Sequence, residues 1–111
     1  MTEGYQVSTT LASEADAGRL AGLLVEERLA ACVQVGGPIA STYRWEGAVT
    51  QASEWVCTAK TAAERLPALL DRIRALHPYR QPEIVATPIT AGDPDYLAWL
   101  HRESTPAAEA P

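Results

Sequence analysis

Two periodicities take turns along this chain. Tyr5, Val7 and Thr9 alternate with their neighbours, which predicts a strand from Tyr5 to Leu11 with those three on one face. Ala17, Leu20, Ala21 and Leu24 then fall at helical spacing. Ser13 is placed to cap that helix, and Asp16 follows three residues on, so a first helix is expected over 13–29. Period two returns at Cys32. Gly36-Gly37-Pro38 interrupts it as a bulge or kink, and Ile39, Tyr43 and Trp45 resume it. Glu46-Gly47 lies between two extended runs and reads as a two-residue hairpin turn. The return strand covers 48–60, with Trp55, Cys57 and Ala59 on one face and Val56, Thr58 and Lys60 on the other.

Leu66, Leu69, Leu70, Ile73 and Leu76 make a second helical stripe. Pro67 is tolerated only in a first turn, so that helix starts near Ala63 or Glu64, and Pro78 ends it. Glu83 to Ile89 is a further strand. Asp93-Pro94 pairs an N-cap with a first helical proline, and Tyr96, Leu97, Trp99 and Leu100 give the third helix its apolar side. The order is βαββαβ plus a C-terminal helix. This is an α+β chain of the ferredoxin-like, split β-α-β kind: an antiparallel sheet, helices on one face and a long hairpin between its second and third strands. Residues 1–104 read as one domain. The run Ser104 to Pro111 reads as fraying, with 105–111 expected as a flexible C-terminal tail.

Composition adds a difficulty. Of 111 residues, 47% are apolar, but 20 are Ala, only 22 are Leu, Ile or Val, and there is no Phe. So thin a core points to a homo-oligomer, in which subunit contacts add burial. The hairpin agrees. Strands of about 13–14 residues reach roughly 45 Å, whereas a domain of this size has a radius of gyration near ~13 Å. A hairpin that long overhangs its own domain, and its open edges call for cover by another copy.

The formal charge of −5 disfavours nucleic acid, which needs a basic footprint. No apolar run approaches the ~20 residues that span a bilayer. The first residues have neither the basic nor the apolar part of a signal peptide, and two cysteines make no disulfide framework. A cytoplasmic protein with no nucleic-acid or membrane partner is the expectation.

The segments Leu24-Val25-Glu26-Glu27-Arg28-Leu29-Ala30-Ala31-Cys32-Val33, Ser41-Thr42-Tyr43-Arg44-Trp45-Glu46-Gly47, Lys60-Thr61, His77-Pro78-Tyr79, Pro82-Glu83-Ile84, Pro88-Ile89 and Asp95-Tyr96-Leu97-Ala98-Trp99-Leu100 occur in that order. Together they resemble the CutA divalent-cation-tolerance family from about Tyr5 to Thr105. The family's usual Asn is here Gln34, and its usual Pro-Gly bend is here Gly37-Pro38. The resemblance implies a ferredoxin-like fold, a tightly packed homotrimer, and a link to tolerance of copper and other divalent metals. It also implies an architecture like that of the PII signalling trimers.

Against that background a few residues stand out. Cys32 offers a soft thiolate suited to copper(I) or zinc, although as an unpaired cysteine it equally suits core packing. One thiolate is no site, so a trimer would have to gather several. Cys57 pairs about four rows from Cys32, roughly 14 Å away, and a bulge at the glycines would shift this by one row only. A disulfide between them is therefore excluded within one chain. His77 is a second candidate metal ligand, or else satisfies helix carbonyls. His101 reads as a solvated surface residue. Lys60, the only lysine, could hold an anion or pair with Glu83. Tyr43, Trp45 and Tyr79 could line a pocket or anchor a subunit interface. Tyr43, Trp45, Trp55, Tyr79 and Trp99 are the residues expected against a neighbour.

No nucleophile elbow, phosphate loop, H-E-x-x-H or paired C-x-x-C occurs, so no enzyme is expected. Nor is a cofactor required, beyond a possible copper or other divalent ion. Three functions remain: a metal-binding trimer, a PII-like trimer that holds a small anion or nucleotide near Lys60 and Tyr79, and a structural adaptor for a protein partner.

Overall fold

The computed structural model describes residues 3–106. Its elements are β1 (Gly4–Leu11), α1 (Glu14–Glu26), β2 (Cys32–Trp45), β3 (Ala48–Ala62), α2 (Leu66–Leu76), β4 (Ile84–Ile89) and α3 (Pro94–Glu103). A 3₁₀ turn, Ala63–Arg65, leads into α2, so Pro67 falls in the first turn of that helix. The four strands form one antiparallel sheet in the order β2-β3-β1-β4.

Local chemistry sets the boundaries. Ser13 Oγ accepts the Asp16 amide at 3.1 Å and starts α1. Asp93 Oδ2 does the same for α3 by accepting the Tyr96 amide at 3.0 Å. α1 stops three residues short of the expected end. Arg28 takes a left-handed backbone (φ 59°), the place usually given to glycine, and the Leu24 carbonyl then accepts the amides of Leu29 and Ala30. At the hairpin tip Glu46 and Gly47 both have positive φ (49° and 80°), as a type I′ turn requires.

α1 and α2 cover one face of the sheet. Val7, Leu11, Cys57 and Ala59 meet Ala17, Leu20, Leu24, Leu69 and Ile73 there. Arg72 of α2 clasps Glu27 just beyond α1 with two bonds, at 2.8 and 2.9 Å. The third helix departs from expectation. Strand alternation puts Gly4, Cys32 and Lys60 on the opposite face, and α3 packs there. Its Leu100 is buried so close to Gly4 that a Cβ on Gly4 would lie 3.2 Å from Leu100 Cδ2 and 2.5 Å from the Thr61 oxygen.

The chain beyond α3 is fastened, which corrects the expected fraying at Ser104 and Thr105. Ser104 is fully buried; its hydroxyl donates to the Leu100 carbonyl (2.6 Å) and accepts the Ala62 amide (3.0 Å). The Arg28 guanidinium donates to the carbonyls of Thr105 (2.6 Å) and Arg102 (2.8 Å). The rest of the expected tail, 107–111, lies outside the described residues.

The hairpin projects. β1 pairs with β3 only over Trp55–Ala62, so among the described residues no third strand lies beside Ile39–Trp45 and Ala48–Glu54. The molecule measures 52 × 26 × 21 Å. At the root of the projection the register slips by one residue between Gly36 and Ile39. Cys57 therefore faces Val35, three rows from Cys32, which is the one-row alternative for the expected bulge. Both cysteines are unpaired. Ile39, Tyr43, Trp45 and Val49 on the projection are all more than a third exposed.

Candidate functional site

The projecting hairpin and the loop after α2 enclose a cavity of about 750 Å³. Its walls include Tyr43 and Trp45 from β2, Glu54 from β3, and Tyr79, Arg80 and Glu83 from the loop. The α2 C-cap holds that loop in place. The His77 amide closes the helix on the Ile73 carbonyl. The His77 ring is buried; its Nδ1 accepts the Tyr79 amide at 3.0 Å. Nε2 therefore carries the proton and donates to the Thr10 carbonyl at 2.9 Å. The Tyr79 ring packs against His77 at 4.8 Å between centroids, and its hydroxyl donates to Glu54 Oε2 at 2.8 Å.

The electrostatics follow from that packing. Burial lowers the His77 pKa below the ordinary imidazole value, and the opposing effects of the Thr10 carbonyl and Glu54 are smaller, so the ring is neutral at pH 7. Burial first, and then the bond to Glu54, push the Tyr79 phenol up to about 12. Tyr79 is accordingly a donor to a carboxylate, never an anion at neutral pH.

The structure divides the expected site residues into two groups. Tyr43, Trp45, Tyr79 and Glu83 meet at the cavity. Cys32 and Lys60 lie at the other end of the sheet, as a directly paired couple. There Cys32 Sγ is 3.6 Å from the Tyr96 hydroxyl, and Lys60 donates to Gln34 Oε1 at 3.1 Å with its Nζ 5.8 Å from the centre of the Tyr96 ring. The Cys32 contact raises the Tyr96 pKa.

Three expectations are corrected by this. Lys60 does not pair with Glu83 or contact Tyr79, because β1 runs between β3 and β4 and Lys60 aligns with Gln6 and then Thr87. Cys32 and His77 do not form one site. Both His77 nitrogens are engaged, beside a row four removed from that of Cys32. His101 is not simply solvated, since Nε2 bonds the Glu3 carbonyl (3.1 Å) and Nδ1 lies 3.4 Å from Glu64. Among the described residues no three His, Cys, Asp or Glu side chains stand close enough to hold a metal.

Glu54 is the residue that sequence reasoning passed over. It is the only acidic residue between Val49 and Ala62, and it lies beside Trp55. A charge in the middle of a long strand was the available signal.

The cysteines differ in a way that labelling reads directly. Cys57 is 1% exposed, bonds the Ala17 carbonyl at 3.5 Å, and burial pushes its pKa to about 11. A thiol reagent at pH 7.5 is expected to leave Cys57 unmodified in the folded protein and to reach it only in denaturant. Rapid native labelling mapped to Cys57 by mass spectrometry would contradict the core described above.

Comparison with known proteins decides the family. The family model described as "CutA1 divalent ion tolerance protein" matches residues 5–103. The chain belongs to the CutA1 family. Among its relatives, the divalent-cation tolerance protein CutA of Thermus thermophilus is 48% identical over 99 residues, spanning 89% of this chain and 95% of that protein. The CutA crystal structure from Xylella fastidiosa superposes with a TM-score of 0.90 at 38% identity, over 94% of this chain and all of that one. A CutA structure from Archaeoglobus fulgidus, described as a periplasmic divalent cation tolerance protein, gives 0.88 at 34% identity, over 92% and 99%. These names are those of a tolerance protein rather than an enzyme. Among the described residues no helix is long and apolar enough to cross a membrane.

Proposed function

We propose that this chain forms a homotrimer that serves tolerance of divalent metals, copper among them, as a binding protein and not as an enzyme. The trimer is supported by the projecting hairpin, whose apolar side chains are more than a third exposed and whose outer β2 edge is unpaired among the described residues. Metal binding rests on one observation: Cys32 is a free, incompletely buried thiol on the sheet face opposite α1 and α2, beside Tyr96 of α3. The described residues of one chain supply no ligand set, so the soft site takes Cys32 from more than one subunit. No resident cofactor is needed for this. Two unpaired cysteines suit the reducing cytoplasm.

Calorimetric titration of copper(I) and of zinc under reducing conditions tests the metal role. The wild type is expected to show a tight phase with fewer than one ion per chain, and Cys32→Ser to lose it. Identical isotherms for the two proteins would sink the role of Cys32.

The cavity favours a second reading, a PII-like regulatory trimer that holds a small molecule. It collects Tyr43, Trp45, Tyr79 and Glu83 around a volume of small-ligand size. Lys60 stands outside it, so this reading keeps the small molecule and leaves open its charge.

A further inference from the structure

Glu54 is a largely buried carboxylate with no opposite charge paired to it among the described residues. The residue is 8% exposed. Its one hydrogen bond among the described residues comes from the Tyr79 phenol, a neutral donor. None of the ion pairs among those residues includes it. The nearby imidazole of His77 is occupied at both nitrogens and is neutral. The carboxylate lines the cavity, and Oε1, which accepts no hydrogen bond among the described residues, is still reached from it, so a cation placed there would meet an unneutralised charge.

The rest of the cavity says which cation fits. In the single chain Tyr43 and Trp45 line it and are 42% and 47% exposed, beside Tyr79, so in the proposed trimer these rings would bound the cavity where a neighbour meets the hairpin. Aromatic faces attract ammonium and quaternary ammonium groups. They do not ligate a hard metal ion, and among the described residues no three His, Cys, Asp or Glu side chains stand close enough to hold one. The charged side chains on the wall are Glu54, Glu83 and Arg80, two negative against one positive, which disfavours an anion. Arg80 is exposed and in no ion pair among the described residues, so it is the one internal competitor.

We propose that the cavity binds an organic ammonium ion, with its cationic head against Glu54 and its alkyl groups on the rings of Tyr43 and Trp45. The inference rests on the small-molecule reading above for the existence of an occupant, and assigns that occupant a positive charge.

Calorimetry on the intact, assembled protein tests it with n-butylammonium and benzyltrimethylammonium. The comparison ligands are 3,3-dimethylbutan-1-ol (a neutral shape match), acetate, inorganic phosphate and magnesium. The two ammonium ions are expected to bind. Glu54→Gln, which still accepts the Tyr79 hydroxyl, is expected to weaken them roughly tenfold or more. Trp45→Leu, in a protein whose sedimentation matches the wild type, is expected to weaken them about threefold to tenfold. Arg80→Ala is expected to leave binding intact or tighten it. If the alcohol or an anion binds and the ammonium ions do not, the cavity reading stands and the ammonium inference fails. If nothing binds, both fail. Binding of magnesium alone overturns the inference, and so does ammonium binding unchanged in both Glu54→Gln and Trp45→Leu.

Discussion

The double variant Ile39→Glu, Val49→Glu is expected to sediment as a monomer at micromolar concentration, where the wild type is expected to sediment as the proposed trimer. Both residues sit on the part of the hairpin that lies beyond β1, on opposite faces of the ribbon, and Val49 is 66% exposed in the single chain. The proposed trimer would cover each with a neighbour. A carboxylate there loses about 2 kcal/mol of apolar burial and adds a desolvation cost of at least ~1 kcal/mol. Two sites make about 6 kcal/mol per interface, a weakening of the order of ten-thousandfold. Neither residue touches the Leu20, Leu24, Leu69 and Ile73 core, so the far-ultraviolet spectrum is expected to stay native-like at low temperature. A double variant that remains trimeric would show that the hairpin is not the interface, and a monomeric wild type would remove the assembly altogether.

Much of the frame was legible because it rests on local chemistry. Ser13 and Asp93 each accept the amide three residues on, Glu46-Gly47 is the tight turn, and the Gly36-Gly37-Pro38 interruption marks the register slip. The end of α1 was not legible. Arg28 holds a left-handed backbone without being Gly or Asn, and distant carbonyls of Arg102 and Thr105 hold its side chain there. Those partners are invisible to any local rule.

The site was half legible for the same reason. Tyr43, Trp45, Tyr79 and Glu83 stood out as aromatic and charged residues at strand ends, and the fold gathers them. Lys60 was misplaced because neighbours in sequence order, β3 and β4, are separated in the sheet by β1. The role of His77 depends on a carbonyl of β1 and an amide two residues on, which no spacing rule connects. Glu54 needed the sheet before its lack of a counter-charge had meaning.

Leu24→Ala lowers the melting temperature by roughly 10–20 °C while leaving the assembly state at room temperature unchanged. Leu24 is fully buried at the centre of the α1 contact, and its carbonyl closes the helix end. Truncating such a leucine costs about 3 kcal/mol in transfer and cavity terms, and each kcal/mol shifts the midpoint of a domain this size by about 4–8 °C. A domain of this kind has only about 5–15 kcal/mol to lose. With 20 alanines and no phenylalanine among 111 residues, few other side chains can fill the gap. The volume-matched Leu24→Met is expected to cost under about 1.5 kcal/mol. Scans at several protein concentrations then separate core from assembly. If trimer formation supplies the missing burial, the midpoints of wild type and Leu24→Ala both rise with concentration. The midpoint of the hairpin double variant does not. Concentration-independent midpoints in all three proteins, with a Leu24→Ala drop of less than about 5 °C, would mean that this Ala-rich core is sufficient alone.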